Sequence, residues 1–185
     1  MNIVTTDKKL SKIGKHREFY SIINDIIGNS TVQEMKNFNH HCDTTCFEHC
    51  LKVAYYTYCL CKKFNLDYVS ATRGAMLHDL FLYDWHIYKT LKPTNSFHAF
   101  THPKVALQNA ELLFNLNDVE KDVIVNHMWP VTISFPKSKE GFIITLTDKY
   151  SACNESFCYF RKFLHSKKAY KYAYVFLSLL VFRII

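Results

Sequence analysis

Apolar positions recur at helical spacing along most of the chain, and polar or turn-forming residues punctuate them. Phe19, Ile22, Ile23, Ile26 and Ile27 predict an amphipathic helix over about residues 8–27, broken near Gly28. Ser30 to Phe38 reads as a short second helix, with Ser30 and Gln33 spaced for a capping box. Thr45 and Glu48 form a second such box. Behind it Phe47, Cys50, Leu51, Ala54, Tyr58, Cys61 and Phe64 share one face of a longer helix. Asn65 and Asp67 close that helix and open another, running from Tyr68 to about Leu80. A polar, turn-rich stretch follows over 84–101.

His102-Pro103 then suits an N-cap and first helical residue, since proline is favoured there. Val105, Ala106, Leu112, Leu113 and Leu116 supply that helix's apolar face. Asp118 is placed to cap the next helix, which holds Val123, Ile124 and His127 and is stopped by Pro130. Residues 131–138 read as a loop. A last core helix begins near Lys139 and holds Ile143, Ile144, Leu146 and Asp148. No strand pattern and no internal repeat emerges, so the expected fold is a single all-α bundle of five or more helices.

Composition agrees. The chain has 185 residues, enough for one domain, and 15 Phe and 12 Tyr provide core material. Only four Gly and four Pro occur, and all the prolines lie between Pro93 and Pro136. The scattered glycines (Gly14, Gly28, Gly74, Gly141) exclude a P-loop and a dinucleotide-binding turn. Any phosphate chemistry therefore needs metal ions or basic side chains.

The formal charge of +7 suits an anionic substrate. The basic clusters Lys8–Arg17 and Arg161–Lys171 read as solvated faces, because no aromatic-glycine signature of RNA binding accompanies them. The start of the chain lacks the apolar stretch of a secretory signal, and seven cysteines is an odd number. Free thiols in a reducing cytoplasm are expected. At the other end, the uncharged run Tyr172–Phe182 is well short of the ~20 residues a spanning helix needs. It suits packing on the domain or on a second subunit, a homodimer, better than stable membrane insertion.

The metal-capable residues in helical settings appear in the order His49, His78-Asp79, His102, His127, Asp148. Imidazole with carboxylate suits iron, manganese, zinc or another borderline divalent ion. The adjacent His78-Asp79 pair falls at a helix end, where both side chains can reach one centre. In mid-helix they would diverge by about 100°. Cys42, Cys46 and Cys50 also offer zinc-like chemistry, but Cys46 and Cys50 fall on an apolar face where cysteine packs as a small hydrophobe.

The segment "FEHCLKVAYYTYCLCKKFNLDYVSATRGAMLHD", with "TLTDKY" further on, resembles the HD superfamily of metal-dependent phosphohydrolases. "FLYDW", "HAFTHPKVALQNAE" and "VNHMWP" resemble a bacterial branch of it, and the likeness spans about residues 45–150. The organisation then expected is N-terminal helices over 1–44, a metal-bearing core over 45–155, and a helical tail over 156–185. The resemblance implies a first metal on His49, His78, Asp79 and Asp148. His102 and His127 match positions that hold a second ion in two-metal members, with Asp79 bridging, so two divalent ions are expected as cofactors. The implied reaction is hydrolysis of a phosphate ester or anhydride of a nucleotide or other small metabolite by hydroxide generated at the metals.

Lys52, Arg73 and Lys149 are candidates to assist Asp79 in catalysis, being about a turn from a ligand or beside one. Lys137 and Lys139 from the loop, and His98 near His102, are candidates to bind substrate. The aromatics Tyr83, Trp85, Phe97 and Trp129 suit either base stacking or core packing. His16, His40, His41, His86 and His165 receive no role. Two other readings share the ligand set, namely a di-iron oxygenase and a non-catalytic nucleotide-sensing module.

Overall fold

Helices make up nearly all the regular structure of the computed structural model, which describes residues 16–41, 44–83, 98–164 and 172. The first, α1, is helical over 16–27 and buries Phe19, Ile23 and Ile26, one every turn, against the core. The capping expected at Ser30 is made one residue earlier. Asn29 accepts from the Thr31 and Val32 amides, while Gln33 turns back and donates to the Ile27 carbonyl. Only Ser30–Gln33 is α-helical (α2), and Glu34–Asn37 tightens into a 3₁₀ turn that buries Met35.

The fold is all-α as expected, with one short pair of strands added to the helices. Asn39–His41 (β1) pairs antiparallel with Thr44–Thr45 (β2), Asn39 opposite Thr45 and His41 opposite Thr44. Three residues carry no readable alternation, so periodicity could not reveal this strand. Its partner leads directly into α3 (Cys46–Lys63), where the expected capping box forms: Thr45 accepts from the Glu48 amide and Glu48 from the Thr45 amide.

At the far end of α3, Asn65 adopts φ 53°. The Leu66 amide donates to Cys61 and the Asn65 amide to Lys62, a Schellman closure that turns the chain into α4 (Tyr68–Leu77). Asp67 caps α4 by accepting from the Ser70 amide. α4 ends at Leu77, three residues short of the expected Leu80, with His78 as its C-cap.

The next helix, α5 (His98–Leu113), starts a full turn before Pro103, so His102 lies inside it rather than capping it. The proline is tolerated near the start because the carbonyl it leaves without a helical donor belongs to the second residue of the helix. Leu112, expected in the core, is exposed. In α6 (Asp118–Asn126) the cap is Asn117, not Asp118, and Asn117 forms a capping box with Glu120. The last helix, α7 (Lys139–Leu164), runs unbroken past residue 155.

α3 packs on α4 and α7, α4 on α6, and α6 on α5 and α7, with α1 completing the core. α4 and α6 meet closely at Gly74, where a methyl group would come within 2.8 Å of the Val123 side chain. Thr57 and Thr147 share a hydrogen bond of 2.8 Å between α3 and α7. Among the described residues, no helix is long and apolar enough to cross a membrane. The uncharged C-terminal run beyond Tyr172 lies outside them.

Candidate metal centre

Five helices deliver side chains to one buried place. His49 comes from the first turn of α3, His78 and His127 from the C-caps of α4 and α6, His102 from α5 and Asp148 from mid-α7. Asp79 follows His78 directly. All six are buried. The C-terminal ends of α4 and α6 turn the negative ends of their dipoles toward this place, which favours a cation.

Three histidines are held in place through Nδ1. His78 Nδ1 donates to the Ala75 carbonyl at 2.7 Å, and His127 Nδ1 donates to Ile124 at 2.8 Å. Each bond reaches back three residues, and each leaves Nε2 facing inward. His49 Nδ1 lies 3.3 Å from Glu155 Oε2, a carboxylate–imidazole pair of the kind that orients metal ligands. Glu155 is itself held by Lys52, whose Nζ is 3.0 Å from its other oxygen.

The inward atoms fall into two groups that meet at Asp79. On one side, His49 Nε2 lies 3.1 Å and His78 Nε2 3.7 Å from Asp148 Oδ1, and His78 Nε2 is 3.5 Å from Asp79 Oδ2. On the other, His102 Nε2 and His127 Nε2 lie 3.2 and 3.6 Å from Asp79 Oδ1 and 3.0 Å from each other. The carboxylate thus presents one oxygen to each group.

A cation fits this arrangement. Sets of three donors, His49, His78 and Asp148, and His78, Asp79 and His127, each lie within 4.8 Å of one another. Among the described residues, the buried His78 Nε2 and Asp79 Oδ1 make no hydrogen bond. Buried polar atoms are rarely left that way, and converging unsatisfied donors of this kind suit an ion.

The electrostatics differ across the site. Burial opposes ionisation of Asp79, but His78, His102 and His40 outweigh it and hold the carboxyl well below the usual range. Asp148 is likewise held low by His49 and His78 against its burial. Burial pushes His49 down, yet hydrogen bonds to Asp148 and Glu155 raise it to about 10. His127 goes the other way, lowered to about 3 by burial and by the neighbouring His78.

The other expected site residues separate. Lys149 stays close: its Nζ donates to the His127 carbonyl at 2.9 Å and lies 3.7 Å from Asp148 Oδ2. Lys52 acts through Glu155. Arg73 does not face the centre, which overturns its expected part in catalysis. Its guanidinium clasps Asp25 with two bonds of 2.7 and 2.9 Å, bonds Glu120 at 2.8 Å and donates to the Ile22 carbonyl. Five residues separate it from His78, about 140° around the helix, so it ties α4 to α1 and α6 instead.

Lys137 and Lys139 are exposed. The Lys137 and Ser138 amides donate to Asp122, which anchors the loop before α7. His98 opens α5, one turn before His102. Trp129 packs edge-on against Phe135 and Phe142, and Tyr83 lies tilted against Phe81. Trp85, Phe97 and Cys42 lie outside the described residues. Cys46 and Cys50 are fully buried in the core, as their helical face implied, and Cys46 Sγ donates to the Asp79 carbonyl at 3.1 Å.

Two neighbours escaped the sequence reading. Glu155 stands seven residues after Asp148, two helical turns and thus the same face, a spacing that could have found it. His40 on β1 brings Nε2 to 2.8 Å from Asp79 Oδ2 and stacks on the His49 ring with centroids 3.9 Å apart. No periodic signal marks it.

No curated protein and no solved structure matches the chain. The HD domain family matches it over residues 46–153, more than half its length, and that span contains all six converging residues. The chain belongs to the HD domain family.

Proposed function

We propose that the protein is a metal-dependent phosphohydrolase that cleaves a phosphate ester or anhydride of a nucleotide or other small phosphorylated metabolite. The observation carrying this reading is the placement of Asp79, whose two oxygens face separate imidazole groups. His49, His78, Asp79 and Asp148 would hold one divalent ion, and Asp79, His102 and His127 a second. Two such ions supply Lewis acidity, making water acidic enough to ionise near neutral pH and offsetting charge on a phosphoryl group.

The chain's own groups do the rest. The Nδ1 contacts of His49, His78 and His127 aim Nε2 inward, where a bound ion would take the place of any proton it carries. Lys149, half-buried beside Asp148, offers ammonium protons to a phosphate oxygen. Burial of the six residues keeps bulk water from competing for them.

The test pairs metal analysis of the purified protein with a screen of phosphorylated metabolites, run with and without oxygen. The expected result is two ions per chain and oxygen-independent phosphate release. Both His102→Ala and His127→Ala should reduce the metal content to one ion. Turnover that requires iron and oxygen would replace hydrolysis with oxygenase chemistry. Metal binding without turnover of any phosphorylated compound would leave a sensor.

A further inference from the structure

His40 comes from β1 of the β1–β2 pair, before the matched family region begins at residue 46. It is nonetheless buried against the centre. Its Nε2 approaches Asp79 Oδ2 at 2.8 Å, closer than any other imidazole nitrogen comes to that carboxylate among the described residues. His78, His102 and His127 stand back at 3.5, 3.2 and 3.6 Å. A nitrogen and a carboxylate oxygen at 2.8 Å match a charge-assisted hydrogen bond, with the proton on the ring.

The bond falls on the oxygen that decides how Asp79 is shared. A carboxylate that bridges two ions must keep one oxygen for each. Left untethered, it can turn about its last torsion and give both oxygens to a single ion. A donor fixed on Oδ2 opposes that turn and leaves Oδ1 facing His102 and His127. The donor is itself fixed. Its ring lies nearly parallel to His49, 21° between planes, and the Asn39–Thr45 and His41–Thr44 pairs flank it on either side of a register shift that falls at His40.

We infer that His40 is a positioning residue that locks the Asp79 carboxylate in its bridging orientation, so that the β1–β2 pair governs retention of the second ion. The inference rests on the two-ion reading above. It makes an asymmetric prediction, because the residue lies on the side of His49 and His78 while its loss should be felt at His102 and His127.

The experiment uses the full chain, stripped with chelator and titrated with Mn²⁺, comparing wild type, His40→Phe and His40→Gln. Phenylalanine keeps the ring stacked on His49 without the donor, and glutamine restores an N–H donor of similar reach. The expected result is two Mn²⁺ sites in wild type. In His40→Phe the weaker site should lose about 10–100-fold in affinity with the tighter site unchanged, and His40→Gln should recover it. The exchange-coupled Mn²⁺ pair signal in electron paramagnetic resonance should vanish and return in the same order. Two wild-type-like sites in His40→Phe would overturn the inference while leaving the two-ion reading intact, as would equal loss in both variants. A single Mn²⁺ site in wild type would overturn both.

Discussion

The two halves of the centre balance their charges differently. Around His49 and His78, each imidazolium finds a carboxylate, since Asp148, Glu155 and Asp79 all lie within 3.7 Å. Around His102 and His127, two imidazole nitrogens face each other at 3.0 Å and share Asp79 Oδ1. The first half satisfies itself by holding protons, whereas burial and the neighbouring His78 keep His127 in the second from doing so. Competition between protons and metal should therefore be strongest in the first half, and dependence on Asp79 greatest in the second.

Removing the shared residue tests this most severely. Asp79→Ala should abolish binding at both subsites and bring activity to background, read by metal analysis and by assay of the full chain. Glu155→Gln should touch one half alone. It weakens the acceptor behind His49 and should lower first-ion affinity about 10–100-fold while leaving the second ion's dependence on His102 and His127 intact.

Opposite pH limbs should mark the halves in metal-free protein. His49 rises from 6.5 to about 10 on folding, so the stability it contributes is complete below pH 6.5 and disappears as pH climbs through 10. His127 falls from 6.5 to about 3, so the unfolded chain takes up a proton that the native one refuses. That stability drains away as pH drops from 6.5 toward 3. Glu155, lowered from 4.5 to about 2, adds to the acid loss below 4.5. Thermal melting in chelator should peak near pH 6.5. His127→Ala should flatten the acid limb and His49→Ala the alkaline one. Retention of both limbs in both variants would show that other groups set the profile.

The smallest effect is expected at Lys52. Its ammonium is half-exposed where it meets Glu155, and pairs of that kind contribute under about 1 kcal/mol. Lys52→Ala should shift melting slightly and leave the number of bound ions unchanged.

Much of this centre was legible because its residues ride on helices. Capping, apolar spacing and breakers located the helices that carry His49, His78, His127 and Asp148 to within a few residues, and His78-Asp79 sat at a terminus as expected. Errors gathered where local chemistry offered two solutions. Asn29 and Asn117 took the caps assigned to their neighbours Ser30 and Asp118. Pro103 sat a turn inside its helix because one early missing donor is tolerated there. Arg73 misled because closeness in sequence was read as closeness in space, although 140° of helix separates it from His78. His40 was out of reach, since a three-residue strand is placed by long-range pairing rather than periodicity.

Gly74 carries a consequence for what the centre can hold. It stands four residues before His78, and Val123, which it touches, stands four before His127. The two helices are thus gauged against each other one turn below the histidines they carry, whose rings end up 4.8 Å apart. A single added methyl at residue 74 would wedge α4 from α6 and widen the gap between the imidazoles without altering any metal-binding atom. The spacing of the two imidazoles thus rests on the absence of a side chain at residue 74.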